Sequence, residues 1–350
     1  METVKITIPS NIIHNCQIVT GFLLLKEQGW NVEVADRSRD AQNPFFDLPV
    51  IQAEYCGKKI MYDLWDGYQH PGDMKRCLDW CDIYFKRSFS QEKNQRLFPD
   101  ESNKIYPLGF NYHITHRKNP INEPLWKALA KPFLGKTPDA YFVPEVFEGR
   151  AERKEGEPVK ILFLTRLWDD QDPALDEEAN RERTYINEAR IQIIRTLREK
   201  YGDAFVGGLN DNALSRAWAP ELIMPAKYTE RRQYVKLLHS CDICIGTMGL
   251  FESIGWKTAE YVAAAKAIVN EHFHYAVTGD FREGENYIGF STARECIDAV
   301  QSLVDDPEKM FAMKQKNEQY YREYLKPEVL VKNSLMQVKR ILSGEEGKNN

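Results

Sequence analysis

The chain has 350 residues, more than one hydrophobic core usually supports, and its 43% hydrophobic content supplies material for two. With 47 basic against 52 acidic residues the net charge is -5, which gives no electrostatic ground for general nucleic-acid binding. No stretch approaches the apolar run of about 18 residues that a membrane span needs; the strongest early run, Phe22 to Leu25, is closed by Lys26 and Glu27, so neither a span nor a signal peptide is expected. Seven cysteines, an odd number, fit reduced thiols in a cytoplasmic protein better than a disulfide framework.

Val4 to Ile8 alternates as a strand, Ile12 to Glu27 carries a mostly apolar helical pattern, and Asn31 to Ala35 follows as a second strand. Further strands are expected at Leu48 to Gln52, Lys59 to Leu64, Asp82 to Lys86 and Ile105 to Leu108, with a helix at Pro71 to Trp80. Such alternation packs as a mostly parallel α/β sheet. Phe147 to Val159 is charged, holds two glycines and little to bury, and is expected to be an interdomain linker.

The alternation then restarts. Strands are predicted at Lys160 to Thr165, Phe205 to Leu209, Asp242 to Gly246 and Ala267 to Asn270, and helices at Arg181 to Lys200, Thr229 to Leu238 and Thr258 to Ala264. This is a second doubly wound sheet, whose ligand crevice belongs beyond the carboxyl ends of its strands. Pro307 to Leu342 predicts two helices separated near Pro327, and Ser343 to Asn350 is polar and expected to fray. The fold class is therefore α/β with two Rossmann-like, doubly wound domains.

The segment from Gly246 to Val269 carries most of the chemical information. A strand ends, a glycine-containing loop follows, and a helix begins, an arrangement that aims backbone N–H groups and the positive end of a helix at a phosphate or pyrophosphate. Glu252 lies in the loop and Glu260 near the helix start. At a rise of about 1.5 Å per helical residue the two carboxylates can face one crevice roughly 10 Å apart, a span that suits a ligand with a sugar at one end and a ribose at the other.

This segment resembles the C-terminal signature of glycosyltransferases of the two-Rossmann GT-B architecture, particularly family four and its group-one relatives. Their pattern is Glu, seven residues, Glu, with a glycine three positions after the first and an alanine-rich helix leading into a strand. Glu252, Gly255, Glu260, Ala263 and Ile268-Val269 occupy those places. The resemblance implies two domains facing a cleft: an acceptor domain over residues 1–146, a nucleotide-sugar donor domain over 159–325, and a helix over 326–342 crossing back to the first. It implies donor-sugar contact by Glu252, ribose contact by Glu260, diphosphate contact by Arg166, and retention of configuration. Relatives carry a lysine soon after that arginine, whereas Leu167 to Pro173 has none, and Lys257 is the substitute candidate. Gly255, Trp256 and Thr258, at the helix start, complete the donor site.

In the first half, Asp66 and His70 stand after an expected strand end and are candidates for managing the acceptor proton; a turn stabilised by Asp and Gly accounts for them equally well. His14, after the first strand, has similar standing. Asp170 and Asp172 form an Asp-x-Asp pattern that arises easily in an acidic loop, and His272 and His274 lack a third metal ligand placed by sequence. Cys241 and Cys244, and Cys77 and Cys81, are expected in the core.

The expected activity is sugar transfer from a nucleoside diphosphate sugar to a hydroxyl acceptor in polysaccharide or glycoconjugate synthesis. Beyond that co-substrate it calls for no cofactor and no metal, and it leaves room for peripheral contact with the inner membrane face through a lipid-linked acceptor. The rivals are a nucleotide-sugar epimerase, a phosphorylase-type enzyme of the same architecture, and a non-catalytic sugar-nucleotide-binding partner.

Overall fold

The computed structural model describes residues 2–122, 142–153, 156–173 and 175–344; residues 154–155 of the expected linker and the tail beyond 344 lie outside these. The chain divides into two units, one comprising Met1–Val146, His274–Gly279 and Arg322–Asn350, the other Phe147–Phe273 and Asp280–Tyr321.

The first unit contains β1 (Val4–Ile8), α1 (Cys16–Glu27), β2 (Val32–Asp36), β3 (Val50–Tyr55), β4 (Lys58–Asp63), α2 (Pro71–Trp80), β5 (Ile83–Lys86), α3 (Gln91–Leu97) and β6 (Ile105–Pro107). The strand order is β2-β1-β3-β4-β5-β6. β1 pairs with β2, β4 with β5 and β5 with β6 in parallel, but β3 runs antiparallel to both β1 and β4. Five of the six strands thus run the same way, as the expectation of a mostly parallel sheet has it, and β3 alone is reversed. The cause is a two-residue hairpin: Cys56 and Gly57 both take positive φ (53° and 72°), the geometry that matches the twist of adjacent antiparallel strands.

The second unit contains β7 (Ile161–Thr165), α4 (Glu177–Tyr201), β8 (Phe205–Leu209), α5 (Ala213–Trp218), α6 (Ala226–Thr229), α7 (Arg231–Ser240), β9 (Ile243–Gly246), α8 (Trp256–Ala263), β10 (Ala267–Glu271), β11 (Ile288–Phe290), α9 (Ala293–Asp305) and α10 (Pro307–Tyr320). Its strands run parallel in the order β11-β10-β9-β7-β8. Every residue of β7 and β9 is buried, as expected of strands covered on both faces. The core joins Ile161, Phe163, Ile243 and Ile245 to Ile193, Ile194 and Leu197 of α4 and to Val300 and Leu303 of α9.

A π turn over Tyr321–Leu325 leads to α11 (Pro327–Ser343), which belongs to the first unit. Leu330, Val331, Leu335 and Val338 of this helix join Ile18, Val19 and Phe22 of α1 in one core. Gly21 makes the approach close, since a Cβ there would strike the Pro327 carbonyl and Val331.

The expected linker does not begin as one. Phe147 is fully buried, the Gly149 N–H donates to the Ala263 carbonyl at 2.9 Å, and the Ala151 N–H donates to Glu318 at 2.8 Å. An aromatic residue and a glycine without a Cβ tie this stretch into the second unit; a Cβ on Gly149 would collide with the Ala264 backbone. All seven cysteines are free thiols, and no helix of the described residues is long and apolar enough to cross a membrane.

Candidate functional site

In a doubly wound sheet the ligand crevice opens where the chain reverses its direction of progress across the strands. In the second unit that point falls between β7 and β9: the chain moves from β7 outward to β8, then returns past β7 to β9. The two strands pair only through Ile161 with Ile243 and Leu162 with Cys244, and then part. Their following loops, from Arg166 and from Thr247, flank the resulting gap.

α4 holds both loops. Arg190, 5% exposed, spends its guanidinium across the gap: Nε donates to Thr247 Oγ1 (3.0 Å), one terminal nitrogen to the Arg166 carbonyl (2.7 Å) and the other to the Met248 carbonyl (2.9 Å). Burial pulls its pKa down to about 10, the Arg166 charge acting in the same direction and Glu271 opposing. Asn187 accepts from the Trp168 N–H at 2.8 Å and donates to the Trp168 carbonyl at 2.7 Å. Arg183 donates to the Asp169 carbonyl (2.5 Å) and the Thr184 hydroxyl to Asp170 (2.9 Å). The Glu182 carboxylate accepts the backbone N–H groups of Phe251 and Glu252, and burial raises its pKa.

Those last two residues are strained. Phe251 and Glu252 have φ of 59° and 60°, the left-handed region that residues with a Cβ rarely enter, and each costs of order 1–3 kcal/mol. The rest of the loop is fastened to itself and to β10: the Met248 N–H donates to Glu271 at 2.5 Å, and the Gly249 N–H to the Ser253 carbonyl at 2.8 Å. The expectation that several loop amides converge on a phosphate is therefore corrected, because those of Met248, Gly249, Phe251 and Glu252 are engaged within the protein. The opening turn of α8 remains. It starts at Gly255 with no side-chain cap, so its first amides lie outside the helical ladder.

Two cations stand at the two loop ends, Arg166 just past β7 and Lys257 in this opening turn. Arg166 is exposed and lies over the Trp168 ring, 3.9 Å from its centroid. Lys257, half-buried, sits 4.1 Å from the Tyr234 ring centroid, and burial pushes its pKa down to about 8 despite the pull of Glu260.

The two glutamates have different surroundings. Glu252 is half-buried on the strained turn. Glu260 is 1% exposed, with Oε1 2.8 Å from Arg231 and Oε2 accepting the Tyr234 hydroxyl at 2.7 Å. It is the fifth residue of α8, on a helix whose residues from Thr258 to Ala263 are all buried, so it turns inward toward α7 instead of standing open to the crevice. Thr258 is also interior: its hydroxyl donates to Asn270 at 3.0 Å, and the Asn270 amide lies where a Cβ on Gly246 would be. Gly255 and Trp256 are half-buried at the helix start.

In the first unit the groups that follow β1, β4 and β5 gather. Asp66 forms an ion pair with Arg87, which is 5% exposed, and both charges act on His14, as does His113. Burial, with Arg87 second, pushes the His14 pKa down to about 4. His70 stands exposed where α2 begins, its ring 6.3 Å from that of Trp65. Beneath them lies a fully buried ion pair: Asp63 Oδ2 accepts from Lys86 and from the Tyr84 hydroxyl, both at 2.7 Å, and Oδ1 from the Trp65 N–H at 2.8 Å.

Asp170 and Asp172 are engaged by Thr184 and Arg183, and His272 by Glu283 at 3.0 Å. Among the described residues no three His, Cys, Asp or Glu side chains form a metal-binding set. Arg190, Asn187 and Glu182 were missed by sequence reasoning. Their signal was present: Asn187 and Arg190 fall on the same helical face as Ile186, Ile191 and Ile194, and polar residues on an apolar face need partners.

No protein-family model matches the chain, and no curated protein matches it. Among solved structures it is similar to the Anabaena protein HepE in complex with UDP-glucose, with 11% identity over 98% of this chain and 100% of that chain and a TM-score of 0.44. It is similar to the C-terminal domain of a glycosyl transferase group 1 family protein, LpcC, from Francisella tularensis, with 12% identity over 52% of this chain and 97% of that chain and a TM-score of 0.35. MnaA of S. aureus, in a structure with UDP, gives 12% identity over 93% of this chain and 96% of that chain and a TM-score of 0.40. At these identities and TM-scores the likenesses assign no family, ligand or residue, and what the chain shows is an α/β protein of two Rossmann-like units, each with polar groups gathered at its strand ends.

Proposed function

We propose that the chain is a glycosyltransferase of the GT-B type that moves a hexose from a nucleoside diphosphate sugar to a hydroxyl acceptor, with retention of configuration, in polysaccharide or glycoconjugate synthesis. The observation that carries this reading is the parting of β7 and β9, whose following loops buried Arg190 bridges, with Arg166 just past β7 and Lys257 in the first turn of α8.

A diphosphate suits these groups. The Arg166 fork can bond two phosphate oxygens at once, Lys257 adds a point charge, and the amides around Gly255 and Trp256 add oriented dipoles. Together they would stabilise the charge left on the departing nucleotide, a task that in this reading falls to no metal ion. Glu252 takes hydroxyls of the donor sugar. A ribose at Glu260 displaces Arg231 from Oε1, while Tyr234 keeps Oε2. Asp66 and His14 handle the acceptor proton in the first unit, and a lipid-linked acceptor would bring the protein to the inner membrane face.

Thermal-shift titration with UDP-, GDP-, ADP- and CMP-sugars, followed by turnover assays with acceptor extracts, tests the reading. One nucleotide class should stabilise the wild type, less so Arg166→Ala, and Glu252→Ala should bind nucleotide yet lose turnover. Equal responses from wild type and both variants, or nucleotide binding with no turnover on any acceptor, would remove the transferase reading.

A further inference from the structure

A cavity of about 600 Å³ lies in the first unit, away from Asp66 and His14. Its size falls within the roughly 300–1,000 Å³ of small-molecule sites. Phe85 of β5 and Leu108, just past β6, form an apolar floor, and Tyr324 of the π turn adds a half-exposed ring. Two glycines allow the enclosing segments to close in. A Cβ on Gly279 would run into the Tyr324 ring, and one on Gly109 would sit 2.8 Å from Thr278 Oγ1; both glycines have positive φ.

α11 supplies the polar wall. Asn333, Gln337 and Arg340 follow one another at spacings of four and three, which puts them on one face of the helix, while Val331, Leu335 and Val338 bury the other. Asn333 donates to the Glu323 carbonyl at 2.7 Å, leaving its amide oxygen as an acceptor. Among the described residues the side chains of Gln337 and Arg340 have no hydrogen-bond or ion-pair partner.

The composition of this wall selects a ligand class. One guanidinium and one carboxylate, Glu323, balance in charge, so nothing favours a multiply charged phosphate. Two amides and a planar guanidinium present donors and acceptors along about 10 Å of helix, the length of one or two sugar rings, and each carboxamide can serve a hydroxyl in both roles. The floor and the tyrosine ring match the C–H face of a sugar. A purely apolar ligand would leave the amides and the guanidinium desolvated without partners.

We infer that this cavity binds a neutral saccharide of one or two rings; resting on the glycosyltransferase reading, it holds part of a carbohydrate acceptor. The test is calorimetric titration of the full chain with maltose, cellobiose, lactose and N,N′-diacetylchitobiose, with glucose 1-phosphate as the charged control. One or more neutral sugars should bind, and Gln337→Ala and Arg340→Ala should each weaken that binding about fivefold. Both cavity positions are solvent-facing on a helix, and a melting curve verifies that the variants fold. Absence of binding by every neutral sugar, equal binding by wild type and the double variant, or a preference of more than about tenfold for glucose 1-phosphate would each overturn the assignment. Saccharide binding without any nucleotide response keeps the cavity and removes the transferase reading; a nucleotide response with no saccharide binding removes the cavity alone.

Discussion

In the second unit one long helix, α4, reaches the loops after both β7 and β9, fixing them through Arg190, Asn187 and Glu182. In the first unit the loops after β4 and β5 are fixed from within the sheet, by the buried Lys86–Asp63 pair and by Ser88, which donates to the carbonyls of Trp65 and Asp66. The groups displayed differ accordingly. The second unit holds two cations beside a strained turn, and the first displays a mixed set in which a histidine is kept neutral. One scaffold clamps backbone and carries a cation just past β7 and another in the first turn of α8; the other rests on a buried ion pair and carries a histidine on which Arg87 and Asp66 act electrostatically. Under the proposed function the first arrangement would take the donor's diphosphate and the second the acceptor's proton.

The largest effect is expected where the first unit stores its charge. Lys86→Met leaves Asp63 buried without its ammonium partner and should cost about 3–5 kcal/mol, read as a drop in melting temperature. The double variant Lys86→Met, Asp63→Leu should be less damaging than that single change; if it is worse, the pair contributes net stability of its own and the description of it as a positioning device is wrong.

Arg190→Met comes next. It removes the bridge between the loops and leaves the Arg166 and Met248 carbonyls without this donor, so stability should fall by about 2–3 kcal/mol. Nucleotide-sugar affinity should fall at least about thirtyfold, although Arg190 is buried; an unchanged affinity would break the idea that α4 sets the spacing of the crevice.

His14 gives a pH signature. Its folded pKa of about 4 lies below the ordinary 6.5, so between those values the unfolded chain binds more protons and stability must fall as pH drops. The loss reaches up to about 3 kcal/mol by pH 4, and His14→Gln should flatten that part of the stability profile. A slope identical in the variant would place the histidine in solvent.

The smallest effect concerns Lys257. With a pKa near 8 it loses its charge as pH rises past that value, so nucleotide-sugar affinity should decline several-fold between about pH 7 and 9. Lys257→Arg, which stays charged, should remove the decline.

Much of this was legible in the chain itself. Val4–Ile8, Pro71–Trp80 and Phe205–Leu209 follow local periodicity and capping and fall where the sequence predicts them. The β3–β4 hairpin was missed because its turn is Cys-Gly, not the common Asn-Gly, although the glycine was visible. α9 was missed despite a readable start: Thr292 accepts from the Glu295 N–H at 3.2 Å, and Glu295 accepts from the Ser291 N–H at 2.8 Å. The site was legible only where partners are close in sequence. Glu260 meets Arg231 and Tyr234 through the packing of α7 on α8, and the influence of Arg87 and Asp66 on His14 depends on which strands the mixed sheet makes neighbours. Neither follows from local pattern.

The most direct test of the central claim is calorimetric titration of wild type, Arg166→Ala, Lys257→Ala and the double variant with UDP, GDP, ADP and CMP at pH 7. The account predicts that one diphosphate binds the wild type, that each single change weakens it about tenfold, and that the double variant weakens it further. Wild-type affinity in the double variant would contradict the placement of the diphosphate at the β7–β9 crevice.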